Sequence, residues 1–253
     1  MRIVSDTYYL MVRALRETAR QPAFEITNIF IPMFFFAVTV GAIGNVAGRA
    51  FGVDNYTAFQ MPVAILQAVA GAAGASGLGM VTDIERGYFD KLLLTPTPRL
   101  ALVLGRLAAD GVRVMILTAL ILVAGLFAGS GMESGVLGFI VILLMGGAFG
   151  LAYAGIGVAI ALKTGSAQAA QTGFLLFFPL LFLSPAFAPK EVFAGWLEFL
   201  ATINPVTYIL EGMRSLVLDG WDAQSLAAAF GSIAGFTVLT MTLVMLGLRS
   251  RTA

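Results

Sequence analysis

The stretch SGVLGFIVILLMGGAFGLAYAGIGVAIAL, residues 134–162, carries no charged side chain. As a helix rising about 1.5 Å per residue it would extend over roughly 40 Å. A bilayer's hydrocarbon core is about 30 Å thick and is crossed by about 20 residues of helix. In lipid a lone segment can satisfy its backbone only as a helix, and this run is too long and continuous for a barrel strand. One membrane crossing is therefore fixed, and the rest of the chain is read outward from it.

Charge-free intervals at 26–48, 55–82 and 114–132 precede it, and others at 164–189 and 223–248 follow. They predict an all-α, polytopic membrane protein, a single transmembrane domain over 1–253. Its six transmembrane helices fall at roughly 26–44, 58–81, 108–128, 136–160, 168–187 and 227–248. Composition agrees. The chain is 59% hydrophobic and 11% charged, against about 25% charged in a soluble domain. A net charge of +1 gives no reason to expect nucleic acid as a partner. There is no cysteine and no histidine. That removes disulfide and thiol chemistry, together with the commonest base and the commonest metal ligand. No catalytic set and no metal site is expected. No short apolar core followed by a small-residue cleavage site precedes the first span, so no cleaved leader is expected.

Lysine and arginine set orientation. With both termini cytoplasmic, the inner segments hold Arg2, Arg13, Arg16, Arg20, Arg86, Lys91, Arg99, Arg106, Arg113, Lys163, Arg249 and Arg251. The outer ones hold only Arg49, Lys190 and Arg214. Residues 83–106 are then cytoplasmic.

Three segments outside the spans have their own patterns. At the N-terminus Tyr8, Met11, Val12 and Leu15 stripe one face of a helix, while Arg13, Arg16, Glu17 and Arg20 occupy the other, until Pro22 ends it. This suits a basic amphipathic helix in the inner headgroup layer, or a charged leader that only sets topology. In DIERGYFDKLLLTPTPRL (83–100), Ile84, Tyr88, Phe89, Leu92 and Leu93 form a stripe opposite Asp83, Glu85, Arg86, Gly87, Asp90 and Lys91. The pattern predicts a helix of about ten residues stopped by the prolines of TPTP. Pattern alone leaves it equally a docking element or a solvated loop. Between the last two spans, KEVFAGWLEFLATI carries an apolar stripe. Asn204-Pro205 then reads as an N-cap with proline at the first helical position. Glu211 and Arg214 sit at i, i+3 on the polar side of that second helix. Two short outer helices are expected there, as a structural lid or as a substrate element, with Trp196 and Trp221 at the interface.

Other motifs fail on chemistry. GASG at 74–77 matches a rhomboid-type nucleophile motif, but the serine would need a histidine base. GAAGASGLG is better read as small-residue helix packing, as is Gly146-xxx-Gly150. GVAIALKT at 157–164 lacks the second glycine of a phosphate-binding loop. Asp110 and Arg113, at i, i+3 near the inner end of the third span, read as an ion pair at the boundary or as a transport group. Neutral polar residues within spans, including Gln60, Gln67, Gln168 and Gln171, could line a weakly polar path or bond between helices.

The layout resembles the permease of type-2 ABC transporters, in the daunorubicin-resistance-like branch of drug and lipid exporters. The matching segments are DIERGYFDKLLLTPTPRLALVLGR (83–106) and SPAFAPKEVFAGWLEFLATINPVTYILEGMRSL (184–216), with its NPVTY…EGMR core. The resemblance implies a dimer of permeases, homo- or heterodimeric. Each would dock an ATP-binding-cassette ATPase that holds ATP and Mg, this chain binding no cofactor itself. Asp83, Glu85, Arg86, Gly87, Tyr88, Asp90 and Lys91 would then form the coupling helix, with Arg13, Arg16, Glu17 and Arg20 on a connecting helix beside it. Spans two and five would line the path, with Gln60, Gln67, Gln168, Gln171, Phe174 and Phe178 facing cargo. Asn204, Pro205, Glu211 and Arg214 would belong to the outer helices. The implied setting is a bacterial-type plasma membrane, with an amphipathic drug, lipid or glycolipid-type substrate exported by alternating access. The phenylalanines could instead face lipid. A stand-alone channel or secondary transporter is the alternative, disfavoured by the scarcity of charge within the spans. A membrane enzyme would have little chemistry to use.

Overall fold

The computed structural model describes residues 2–20 and 22–252. The uncharged stretch forms one continuous helix, α6 (Gly135–Thr164). The other elements are α1 (Arg2–Ala19), α2 (Pro22–Phe51), α3 (Tyr56–Glu85), α4 (Tyr88–Leu93), α5 (Arg99–Phe127), α7 (Ala167–Leu175), α8 (Phe177–Phe182), α9 (Gly195–Ile203), α10 (Pro205–Arg214) and α11 (Ala223–Thr252). Among the described residues no strand occurs. Among the described residues five helices are long and apolar enough to cross a membrane: α2 from Glu25 onward, α3, α5, α6 and α11 up to Ser250.

α6 occupies the middle, packed on α3, α5, α7 and α11. Within lipid, helix association depends on close packing and hydrogen bonds rather than on expelling water. Glycines supply the closeness. A Cβ on Gly150 would lie 2.6 Å from Val114, and one on Gly77 would lie 2.9 Å from both the Ala170 Cβ and the Gly157 carbonyl oxygen. The GASG stretch is thus a packing surface. Around it the fully buried Tyr153 meets Phe177 edge-on at 5.2 Å and stacks on Phe236 at 5.7 Å. Each such pair is worth about 0.5–1.5 kcal/mol beyond area. The Tyr153 hydroxyl donates to the Gly173 carbonyl at 3.0 Å, which ties α6 to α7.

Two expected elements differ. The interval 168–187, expected as one span, is two short helices with a turn at Leu176. Pro179 explains the break, because it has no amide to donate to the Leu175 carbonyl. The helix expected over the 83–94 segment is also divided. Glu85 ends α3, Gly87 adopts φ +65°, and α4 starts anew at Tyr88 for six residues. Glycine takes that left-handed conformation without the steric cost borne by other residues. The TPTP turn does stop α4, and Thr95 Oγ1 donates to the Leu92 carbonyl at 2.6 Å.

α1 docks on α5 and does not merely float in a headgroup layer. A Cβ on Gly105 would sit 2.5 Å from the Leu10 Cβ and 3.0 Å from the Thr7 carbonyl oxygen.

Candidate functional site

The charges of the 83–106 segment fall into two classes by burial. Asp83, in the last turn of α3, joins three helices. Its Oδ1 accepts from Arg13 of α1 at 2.9 Å and its Oδ2 from Arg106 of α5 at 2.7 Å. Arg106 also donates through Nε to the Ser76 carbonyl at 3.1 Å. Gly79 makes the room, since a Cβ there would collide with the Arg106 guanidinium. Arg13 reaches Glu17 at 2.8 Å, and its guanidinium lies 3.7 Å from the centre of the Tyr88 ring. Partial burial pulls the Arg13 pKa down, but the hydrogen bond and charge of Asp83 outweigh it and the net shift is upward. α1, α3 and α5 are therefore locked at one end of the bundle by charge-assisted hydrogen bonds, and α4 joins them through the Arg13–Tyr88 cation–π contact.

Glu85, Arg86, Asp90 and Lys91 are exposed instead. The apolar stripe opposite them turns inward. Phe89 is buried, with Ile84, Leu92 and Leu93 packed on the cluster that holds Met80, Leu107 and Leu162. α4 is thus fixed to the bundle by one face and presents charge on the other. Leu94, 89% exposed, stands at its tip. The apolar stripe hid Leu94 from sequence reasoning. Arg16 and Arg20 of the N-terminal segment are exposed as well.

Asp110 and Arg113 do pair, at 3.4 Å, and both are buried. A third member escaped the sequence reading: Glu25 lies 3.6 Å from Arg113. Its signal was a lone charge one residue before the first uncharged interval.

The four glutamines are not brought together. Gln60 and Gln67 lie inside the bundle on α3, whereas Gln168 and Gln171 are exposed on α7. Phe174 and Phe178 are half-buried and meet edge-on at 5.2 Å, the start of a row continued by Phe182 and Phe187.

At the opposite end, Asn204 caps α10 by accepting from the Val206 amide at 3.0 Å and donates its own amide to the Leu180 carbonyl. Pro205 takes the first helical position. Arg214 corrects the expectation of a polar-side pair with Glu211. It is 7% exposed and turned inward. It donates to the carbonyls of Phe59, Pro185 and Ala186 and lies 3.4 Å from the centre of the Phe59 ring. Burial lowers its pKa to about 9, opposed by Glu211 one turn earlier, so it stays a cation at neutral pH. It staples α10 to the start of α3 and to the segment after α8. Trp196 and Trp221 are exposed at this end.

The sequence model of the ABC-2 type transporter family matches residues 5–218, which includes every group just described except Trp221. The chain belongs to that family. It is 27% identical over 245 residues, 95% of this chain and 86% of the other, to the daunorubicin resistance ABC transporter permease protein DrrB1 of Streptomyces coeruleorubidus. It is 22% identical over 248 residues, 97% of this chain and 89% of the other, to the probable doxorubicin resistance ABC transporter permease protein DrrC of Mycobacterium tuberculosis. A putative transport permease, ycf38 of Cyanophora paradoxa, is 26% identical over 219 residues, 84% and 74% of the two chains. This ABC-2 protein is accordingly a multi-pass membrane permease subunit. It is not itself an enzyme, because the family's ATP-binding-cassette ATPase is a separate chain.

Proposed function

We propose that this permease exports an amphipathic drug, lipid or glycolipid-type substrate by alternating access, as one half of a permease dimer whose ATPases hold ATP and Mg. The observation that carries this is the divided role of the 83–94 segment, within a family of ATP-driven transport subunits. Its underside is anchored to the bundle and its outer face is a free charged rim. Glu85, Arg86, Asp90 and Lys91 are the docking contacts, and Leu94 is an apolar knob beside them. Asp83, Gly87 and Tyr88 act from within, joining the rim to α1 and α5. A partner that binds one conformation better shifts the balance between them. ATPase closure pulling on this rim would move α1, α3 and α5 together through Asp83.

Both termini and the rim face the cytoplasm of a bacterial-type plasma membrane, and α7–α8 makes the sixth crossing. The exposed α7 face with Gln168 and Gln171 turns toward the second permease, where Phe174 and Phe178 border the path. The drug-resistance relatives support an amphipathic cargo.

The triple change Glu85→Ala, Arg86→Ala, Asp90→Ala should lower co-purification of the ATPase by about tenfold or more, as expected for losing two or three charge-assisted contacts. Spans should stay intact by circular dichroism. Unaltered ATPase association and transport in that variant would sink the docking assignment.

A further inference from the structure

A cleft of about 510 Å³ opens where α1, α3 and α5 meet. Its wall holds four arginines, among them Arg86, Arg106 and Arg113, and four carboxylates, among them Glu25, Asp83 and Asp110. Most of this charge is matched internally: Asp83 by Arg13 and Arg106, and one oxygen each of Asp110 and Glu25 by Arg113. Two capacities are left over. Asp110 Oδ2 and Arg113 Nε are buried, and neither has a hydrogen bond within 3.5 Å among the described residues, the Ser76 hydroxyl being the neutral donor beside Asp110. Their residues are 6% and 7% exposed, and both line the cleft.

The two leftovers are of opposite kind. Oδ2 of a carboxylate only accepts, whereas Nε of a guanidinium only donates. Leaving either buried and unmatched costs about 1–3 kcal/mol, more where the group is charged. One ligand satisfies both if it carries a cationic donor and an anionic acceptor within the reach of an i, i+3 pair, about 5–6 Å. Phosphoethanolamine has this chemistry, a primary ammonium two carbons from a phosphate ester. A choline headgroup lacks the N–H donors, and a glycerol headgroup lacks the cation. The cleft's volume lies within the usual range for small-ligand sites, about 300–1,000 Å³.

Position favours a lipid source. Arg106 and Asp110 lie seven and eleven residues along α5 from Arg99, roughly 10 to 16 Å at the helical rise. The cleft therefore sits in the end zone of membrane-crossing helices, with Ala75, Leu78 and Ala109 among its apolar walls. Thr18 and Arg20, at the end of α1, form its lip. We propose that this cleft binds the headgroup of a phosphatidylethanolamine-type lipid, with its ammonium on Asp110 and Glu25 and its phosphate on Arg113 and Arg106. The lipid would bridge α1 to the α3–α5 pair and so couple the docking end to the bilayer, whatever the cargo is.

The test uses the full chain, delipidated in detergent and titrated by native mass spectrometry with phosphatidylethanolamine, phosphatidylcholine or phosphatidylglycerol of matched acyl chains. Phosphatidylethanolamine should bind about tenfold or more tighter than the other two. Asp110→Asn, which keeps the shape and removes the anion, should abolish that preference, while Asp54→Asn, in the turn between α2 and α3 at the other end of α3, should keep it. Should Asp110→Asn fail to fold, Glu25→Gln at the less buried edge should still narrow the preference. Equal binding of the three lipids by the wild-type chain, or an undiminished preference in Asp110→Asn, would overturn the site. Displacement of the lipid by equimolar soluble O-phosphoethanolamine would overturn the lipid source and assign the cleft to a free zwitterion.

Discussion

At the level of single residues, the buried end of α10 turns on Glu211 and Arg214. Both were visible in the sequence at i, i+3, on what read as the polar side of the second outer helix. The partners that decide otherwise are the Phe59 and Pro185 carbonyls, 155 and 29 residues away in the chain. No local pattern encodes them. Arg214 spends its donors on these carbonyls, so Glu211 is left half-buried with weaker compensation. Burial raises the Glu211 pKa above the ordinary 4.5, Lys190 and Arg214 oppose the rise, and Glu191 adds to it. The sign follows by linkage. A carboxyl with a raised folded pKa contributes stability below its unfolded value of about 4.5 and loses it as pH rises through the folded value. At neutral pH the ionised form is therefore a net penalty. Glu211→Gln should raise the melting temperature at pH 7, and the advantage should vanish as pH falls to about 4. A variant that melts lower than wild type at pH 7 would show that Arg214 needs the Glu211 charge more than the fold suffers from its burial.

At the level of elements, the caps were the most readable features and the close approaches the least. Asn204-Pro205 announced the start of α10. What it did not announce is the second bond of the Asn204 side chain, to the Leu180 carbonyl of α8. Removing the cap with Asn204→Ala should cost about 1–2 kcal/mol. Asn204→Asp, which keeps the cap acceptor but loses the donor, should recover only part of it. Full recovery would mean the α8 bond contributes nothing to stability. Pro179 and Gly87 were equally visible, yet an uninterrupted uncharged interval and a continuous helical stripe outweighed them, so both breaks were missed. Gly105 had no signal at all, because its role depends on α1 lying across it. Gly105→Val should push α1 off α5 at about 1–3 kcal/mol. Faster limited proteolysis ahead of residue 22, with the spans still protected, would report that. Unchanged proteolysis would show that α1 is held by its charges alone.

At the level of the whole molecule, the all-α membrane class followed from charge-free length alone, because a bilayer leaves few solutions to an uncharged backbone. The division of labour in the charged segment did not. Asp83 sits two residues before Glu85, in the same acidic and basic run, yet one side chain is a hub between helices and the other faces outward. Their difference depends on where Arg13 and Arg106 arrive, which is a property of the packed bundle. It yields a prediction that separates docking from transmission. Asp83→Asn retains the shape and leaves Glu85, Arg86, Asp90 and Lys91 in place, so the ATPase should co-purify as before. It removes the charge that both arginines share, a loss of about 1.5–3 kcal/mol for charge-assisted bonds, so motion at the rim should no longer reach α1 and α5 together. Transport in proteoliposomes carrying the ATPase should fall by about tenfold or more while ATP hydrolysis continues. Loss of ATPase association in the same variant would instead make Asp83 a direct docking contact, and full transport would remove it from the coupling route.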